Sequence, residues 1–108
     1  MHSGVKQEES VRDSVRQAIY EARDFGANIG DVAVESIKGA VNGVKQIGGD
    51  TSKALRDSVL AALRASKDIG EDTFNLVKKS VSHSIEGGKK IMHEVIKKEQ
   101  KDKQTTAE

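Results

Sequence analysis

The chain has 108 residues, with 18 Lys and Arg against 17 Asp and Glu, one Tyr, two Phe and no Trp. This length suits one small domain, and the near-zero net charge gives no indication of a nucleic-acid partner. The absence of Cys excludes disulfides and thiolate metal sites. We see neither a signal-peptide core nor an apolar run near the ~18 residues of a membrane span, which favours a cytoplasmic protein.

The sequence repeats with a period of 22 residues. We predict a disordered N-terminus at 1–4 and a helical repeat region at 5–98, followed by a polar tail at 99–108 that frays. The second position of each repeat is Gly, the twelfth is Ser, and the thirteenth and seventeenth are aliphatic. The four complete repeats and the final partial repeat are 3–24, 25–46, 47–68, 69–90 and 91–98.

The apolar positions within each repeat indicate helix. They recur at steps of three and four residues, whereas a strand would alternate every second residue. Twenty-two residues in six turns correspond to about 3.67 residues per turn, the 11-residue (hendecad) value, which predicts a straight or slightly right-handed supercoil.

Two architectures fit this pattern. In one, the recurring glycines end helices and nearby Asp residues cap the next ones, which gives an antiparallel helical bundle with turns at 26–30, 48–50 and 70–72. In the other, one long amphipathic helix runs through every Gly. The apolar pattern keeps its phase across the glycines, and most of them lie on or beside the apolar face. These observations favour the continuous helix.

The predicted fold class is therefore all-α, a continuous helix of hendecad repeats in a parallel homo-oligomeric coiled coil, with the chain itself as its partner. Gly26, Gly48 and Gly70 are expected to let neighbouring backbones approach closely. The predicted oligomer interface consists of the apolar residues Val15, Ile19, Ile37, Val41, Ile47, Leu55, Val59, Leu63, Ile69, Val77, Val81 and Ile85.

Charged residues border the two sides of the apolar face unequally. In a parallel pair of such helices the basic border of one meets the acidic border of the other, which favours parallel association. The basic border comprises Arg12, Arg23, Lys45, Arg56, Lys67 and Lys78, with Lys89 continuing the row. The acidic border includes Asp13, Glu35, Asp57 and Asp68.

The serine at position twelve of each repeat has two interpretations. A serine within a helix bonds back to the carbonyl one turn earlier, or it bonds across a close helix interface. The four serines are Ser14, Ser36, Ser58 and Ser80.

No catalytic, cofactor-binding or metal-binding pattern is found, and we expect a protein that is not an enzyme. His83 and His93 are ten residues apart and fall on different helix faces, so they cannot form an i, i+4 metal pair; with His2 they are interpreted as surface residues. The double glycine Gly48-Gly49 lacks the flanking residues of a phosphate-binding loop.

In its period, the chain resembles hendecad coiled-coil proteins, whose members are mostly structural and oligomeric. The 22-residue unit also resembles, more weakly, the amphipathic repeats of apolipoproteins, synucleins and late-embryogenesis-abundant proteins. The first resemblance implies a self-assembling structural protein. The second implies a protein that binds an anionic lipid surface, where lysines beside an apolar sector reach head groups, or a stress-protective one. A monomeric four-helix bundle acting as a binding module is the third alternative.

Overall fold

The structure, a computed structural model, describes the backbone of residues 3–107 and the side chains of residues 11–97. This part of the chain forms five α-helices and contains no strand, which confirms the predicted all-α class. The helices are α1 (Ser3–Phe25), α2 (Ile29–Gln46), α3 (Thr51–Ile69), α4 (Glu71–Ser84) and α5 (Gly88–Ala107).

The chain does not form the continuous helix that we expected. An unbroken helix over 5–98 would extend about 140 Å at about 1.5 Å per residue, whereas the fold measures 38 × 38 × 27 Å. The backbone turns near Gly26, Gly48 and Gly70, and a fourth turn at 85–87 separates α4 from α5. The helices of one chain therefore pack against one another, as in the bundle alternative.

Gly26 and Gly48 end α1 and α2 because both adopt a left-handed backbone, with φ of +74° and +76°. At each turn two backbone hydrogen bonds satisfy carbonyls of the last helical turn. The Ala27 amide donates to Ala22 at 2.9 Å, and the Gly49 amide donates to Val44 at 2.9 Å. Each glycine amide also donates to the carbonyl three residues before it, which completes a Schellman motif at both helix ends.

Polar side chains begin the next helices. The Asn28 side chain accepts from the Asp31 amide, and the Asp50 side chain accepts from the Lys53 amide, both at 3.1 Å. The third break differs, because Gly70 alone separates α3 from α4, in an extended conformation and without a side-chain cap. Asp72, the expected cap at this position, lies instead within the first turn of α4.

The glycines that permit close packing are not the three that we predicted. A Cβ added at Gly26, Gly48 or Gly70 would have no neighbour within 4 Å, so these residues serve the turns instead. Gly30 is buried against Ser80 of α4, and a Cβ there would collide with the Ser80 hydroxyl. A Cβ on Gly88 would lie 2.6 Å from the Val81 carbonyl oxygen.

Helix α3 lies at the centre of the bundle and contacts α1, α2, α4 and α5. Its buried face is rich in small residues, including Ala61, Ala62 and Ala65, which allow four neighbours to approach one helix. Around it, the thirteenth residue of each repeat is fully buried in a single core: Val15, Ile37, Val59 and Val81. Each repeat thus supplies about one helix and one turn, and the same column of every repeat faces the shared core.

The two ends of the chain are the segments 1–4, which we predicted to be disordered, and 99–108, which we predicted to fray. Residues 1, 2 and 108 lie outside the described residues. Helix α1 begins at Ser3 and α5 ends at Ala107, so the helices include residues 3–4 and 99–107 of these segments.

Candidate functional site: a lysine-lined cleft between α4 and α5

The predicted interface residues are mostly covered by the chain itself. Eleven of the twelve lie in the core or pack against it, and Ile47 is the exception, with 67% of its surface exposed. This apolar face is therefore not free to cover a second copy of the chain in this conformation.

One residue of the basic border and one of the acidic border meet between two helices of the same chain. A terminal nitrogen of Arg12 lies 3.6 Å from the Asp57 carboxylate, and the Tyr20 hydroxyl donates to Asp68 at 3.0 Å. Both contacts join α1 to α3, and their order along the two helices shows that α1 and α3 run parallel. Arg12 and Asp57 thus pair between parallel helices of one chain, whereas we interpreted the charge pattern as favouring parallel association between chains.

The other border residues make local contacts or face solvent. Asp13 pairs with Arg16, and Arg23 pairs with Asp24. Glu35, Lys45 and Arg56 are exposed, without a described partner. The ammonium groups of Lys67 and Lys78 lie 5.6 and 5.0 Å from the centre of the Phe74 ring, in cation–π contacts.

The four serines at position twelve of the repeats do not all make the same kind of contact. The hydroxyls of Ser36 and Ser58 donate to carbonyls three residues earlier, at 3.0 Å each, as in the back-bonding interpretation. Ser80 instead packs across the α2–α4 interface against Gly30. Ser14 is exposed on α1.

Helices α4 and α5 enclose a cleft of about 590 Å³. One wall carries Lys89, His93 and Lys97, spaced four residues apart along one face of α5. The other wall belongs to α4 and carries Asn75, Lys78, Lys79 and Ser82. The turn at 85–87 brings these two walls together, and Gly87 adopts the left-handed backbone that this turn requires, with φ of +76°.

The cleft concentrates positive charge. Four lysines and a histidine line it, and its described lining includes no carboxylate. Among the described side chains, none of the four lysines lies within ion-pairing distance of an acid. Like charges on facing walls repel one another, so an anion between them would relieve this repulsion.

Two apolar side chains, Met92 and Ile96, complete the lining from α5. Met92 belongs to the buried core, and Ile96 is half-buried against it. The cleft thus combines an apolar base with cationic walls, and its volume falls within the range of about 300–1,000 Å³ typical of small-molecule sites.

Sequence reasoning identified Lys78 and Lys89 as members of the basic border but did not recognise the cleft. The four-residue spacing of Lys89, His93 and Lys97 in the sequence predicts that they share one helix face. The missing information was the turn at 85–87, since only this turn places that face opposite Lys78 and Lys79. The adjacent Gly87 and Gly88 were the available signal.

A second concave surface lies between α1 and α2. This groove of about 390 Å³ is lined by eight residues, none of them charged: Val11, Ser14, Ser36, Gly39, Ala40, Gly43, Val44 and Ile47. Gly39 and Gly43 of α2 and Ile47, the residue that follows this helix, are spaced four residues apart. An added Cβ on either glycine would meet nothing within 4 Å, so the groove is open at this face.

The phenol of Tyr20 has a raised pKa. Desolvation raises the pKa of its phenol above 10.0, and the hydrogen bond to Asp68 and the negative charge of that carboxylate raise it further. Arg16 and Arg23 oppose these effects. The phenol contributes to the α1–α3 interface through its hydrogen bond to Asp68.

Comparison of the chain with protein-family models, with curated proteins and with solved structures finds no match. The resemblance to hendecad coiled-coil proteins therefore stays a prediction. Within the described residues, no cluster of three or more His, Asp or Glu side chains could hold a metal ion. None of the helices searched there has both the length and the apolar character needed to cross a bilayer.

Proposed function

We propose that this protein is a non-enzymatic helical binding module that holds an anionic ligand in the cleft between α4 and α5. The observation that carries this proposal is the cationic lining, in which Lys78, Lys79, Lys89 and Lys97 face one space without a described carboxylate among them. Glu86 and Glu94, the acids near Lys89 and Lys97 along the chain, are not part of the lining. The Ser82 hydroxyl and the Asn75 amide add neutral hydrogen-bond donors.

Tripolyphosphate is a suitable first probe, because it carries high negative charge and no apolar part. We expect binding that weakens as salt is added, since exposed charges are screened. Reversal of two cleft charges, Lys78→Glu with Lys89→Glu, should weaken it by about tenfold or more. Loss of a hydrogen bond to a charged group costs about 1.5–3 kcal/mol, and tenfold corresponds to about 1.4 kcal/mol.

The matched control is Lys38→Glu with Arg56→Glu, which makes the same change in net charge at exposed positions outside the cleft. Calorimetric titration should give an affinity within about twofold of the parent protein for this control. An equal loss of affinity in both double variants would show that net charge alone attracts the anion, and would refute the cleft as the site.

Self-association through the α1–α2 groove is the second candidate, and it retains the chain itself as a partner. Exposed Ile47 favours it, because this side chain and the open positions Gly39 and Gly43 lie in one row of an uncharged surface. A two-fold axis near Gly43 would place Ile47 of each copy beside Gly39 of the other. Light scattering should then give a dimer mass that Ile47→Asp reduces to 11.7 kDa; a concentration-independent monomer contradicts this candidate.

A further inference from the structure

We infer that the ligand of the α4–α5 cleft is a single-chain anionic amphiphile, such as a fatty carboxylate. This inference rests on the proposed function and adds the chemical class of the ligand. Its basis is the juxtaposition of two kinds of surface in one cleft: cationic groups on both walls, and Met92 with Ile96 at the base.

The positions of these groups along α5 suit a molecule with a charged head and an apolar chain. Lys89, His93 and Lys97 follow one face of the helix, and Met92 and Ile96 each lie one residue before one of them, on the side that faces the core. An alkyl chain along Met92 and Ile96 would be covered by the stems of the neighbouring lysines, whose ammonium groups remain free to meet the head group.

A bilayer surface fits this cleft less well than one amphiphile. Amphipathic surfaces that enter a bilayer present large exposed apolar side chains beside their basic residues. The most exposed large apolar residues here are Phe25 and Ile47, and neither lines the cleft. Leu76 is also exposed but is not part of the lining. The apolar surface beside the lysines is concave, so it is accessible to a single chain.

Methyl NMR gives a direct test, because the chain contains only two methionines, Met1 and Met92. In protein labelled with ¹³C at the methionine methyl groups, Met92→Leu assigns the signal of the cleft base. Laurate, kept below its micellar concentration, should shift the Met92 signal saturably with one molecule bound per chain. Affinity should rise with chain length by up to about fourfold per added methylene, since a buried methylene contributes about 0.8 kcal/mol.

Two controls separate the head group from the chain. Undecyl maltoside has the same alkyl chain as laurate without the charge, and should bind at least about tenfold more weakly. The variant Ile96→Asn changes a half-buried residue and should weaken laurate by about tenfold or more, while its affinity for tripolyphosphate stays within about twofold. The charge reversal Lys78→Glu with Lys89→Glu should weaken both anions.

The outcomes distinguish the inference from the proposed function. If tripolyphosphate binds in the cleft but laurate leaves the Met92 signal unchanged, the amphiphile is refuted and the anion-binding module stands. If neither probe binds, both fail. Binding to phosphatidylglycerol vesicles that laurate cannot displace would also refute the inference and would identify a bilayer surface as the partner.

Discussion

The Arg12 guanidinium lies 3.6 Å from the Asp57 carboxylate and joins the first helix to the central helix of the bundle. The Arg12 side chain is about half exposed, whereas that of Asp57 is mostly buried. Because the pair connects parallel helices 45 positions apart in the chain, it reports on tertiary structure and not on local helix formation.

We expect this pair to contribute about 0.5 kcal/mol, in the range of exposed ion pairs. A double-mutant cycle with Arg12→Gln and Asp57→Asn, followed by urea denaturation, measures the coupling directly. The coupling should decrease in high salt, because half of the pair is solvated. Zero coupling at low salt would mean that this ion pair does not help to hold α1 against α3.

Tyr20, the single tyrosine, lies in the α1–α3 interface, so the absorbance of its phenolate reports on this interface. The raised pKa of Tyr20 means that the fold stabilises the neutral phenol, so this stability is complete below the unfolded pKa and is lost as the pH rises through the higher folded value. Titration of phenolate absorbance should place the transition above 10.0 in the folded protein and lower it in denaturant.

Asp68→Asn serves as the control for this titration. It removes the negative charge that disfavours phenolate, and the transition should move to lower pH. It should stay above the denatured value, because desolvation is the largest cause of the raised pKa. A transition in the native protein that matches the denatured one would contradict the Tyr20–Asp68 contact.

Alanine substitution distinguishes a turn glycine from a helix glycine. Gly48 has φ of +76°, so Gly48→Ala should destabilise the fold by about 1 kcal/mol. Gly39 lies inside α2 with open space around it, so Gly39→Ala should stabilise the fold by about 0.5–1 kcal/mol. Thermal denaturation measures both. A continuous helix would instead be stabilised by both substitutions, so the sign for Gly48 separates the two architectures.

This comparison also shows why the core was more predictable than the path of the chain. The buried column of Val15, Ile37, Val59 and Val81 follows from the repeat, since the same position must face the apolar interior whether that interior lies within one chain or between chains. The turns do not follow from the repeat. A helix of about 18 residues plus a short turn occupies the same 22 residues as two hendecads, which make six turns of a continuous helix.

The candidate site depended on the turn that the sequence interpretation omitted. Neither architecture that we considered broke the helix at 85–87, so Lys78 and Lys89 were assigned to one continuous border. The actual turn folds that border on itself and encloses the apolar Met92 and Ile96. Pattern reasoning locates charges around a helix, but the arrangement of facing walls depends on tertiary structure.

Gly30 of α2 packs against Ser80 of α4, and this contact gives a final test of the bundle. A methyl group at Gly30 would collide with the Ser80 hydroxyl and lie 3.3 Å from its Cβ. Gly30→Ala should therefore destabilise the protein by about 1–3 kcal/mol, as overpacked interiors do, despite the higher helix propensity of Ala. Ser80→Ala removes the hydroxyl but keeps Cβ, so the double variant should recover part of the loss.

Urea denaturation of the parent protein, the two single variants and the double variant measures this coupling, and Gly43→Ala, at an open helical position of α2, controls for propensity. If Gly30→Ala stabilises the fold as much as Gly43→Ala, and Ser80→Ala does not change this gain, α2 and α4 do not meet at this point.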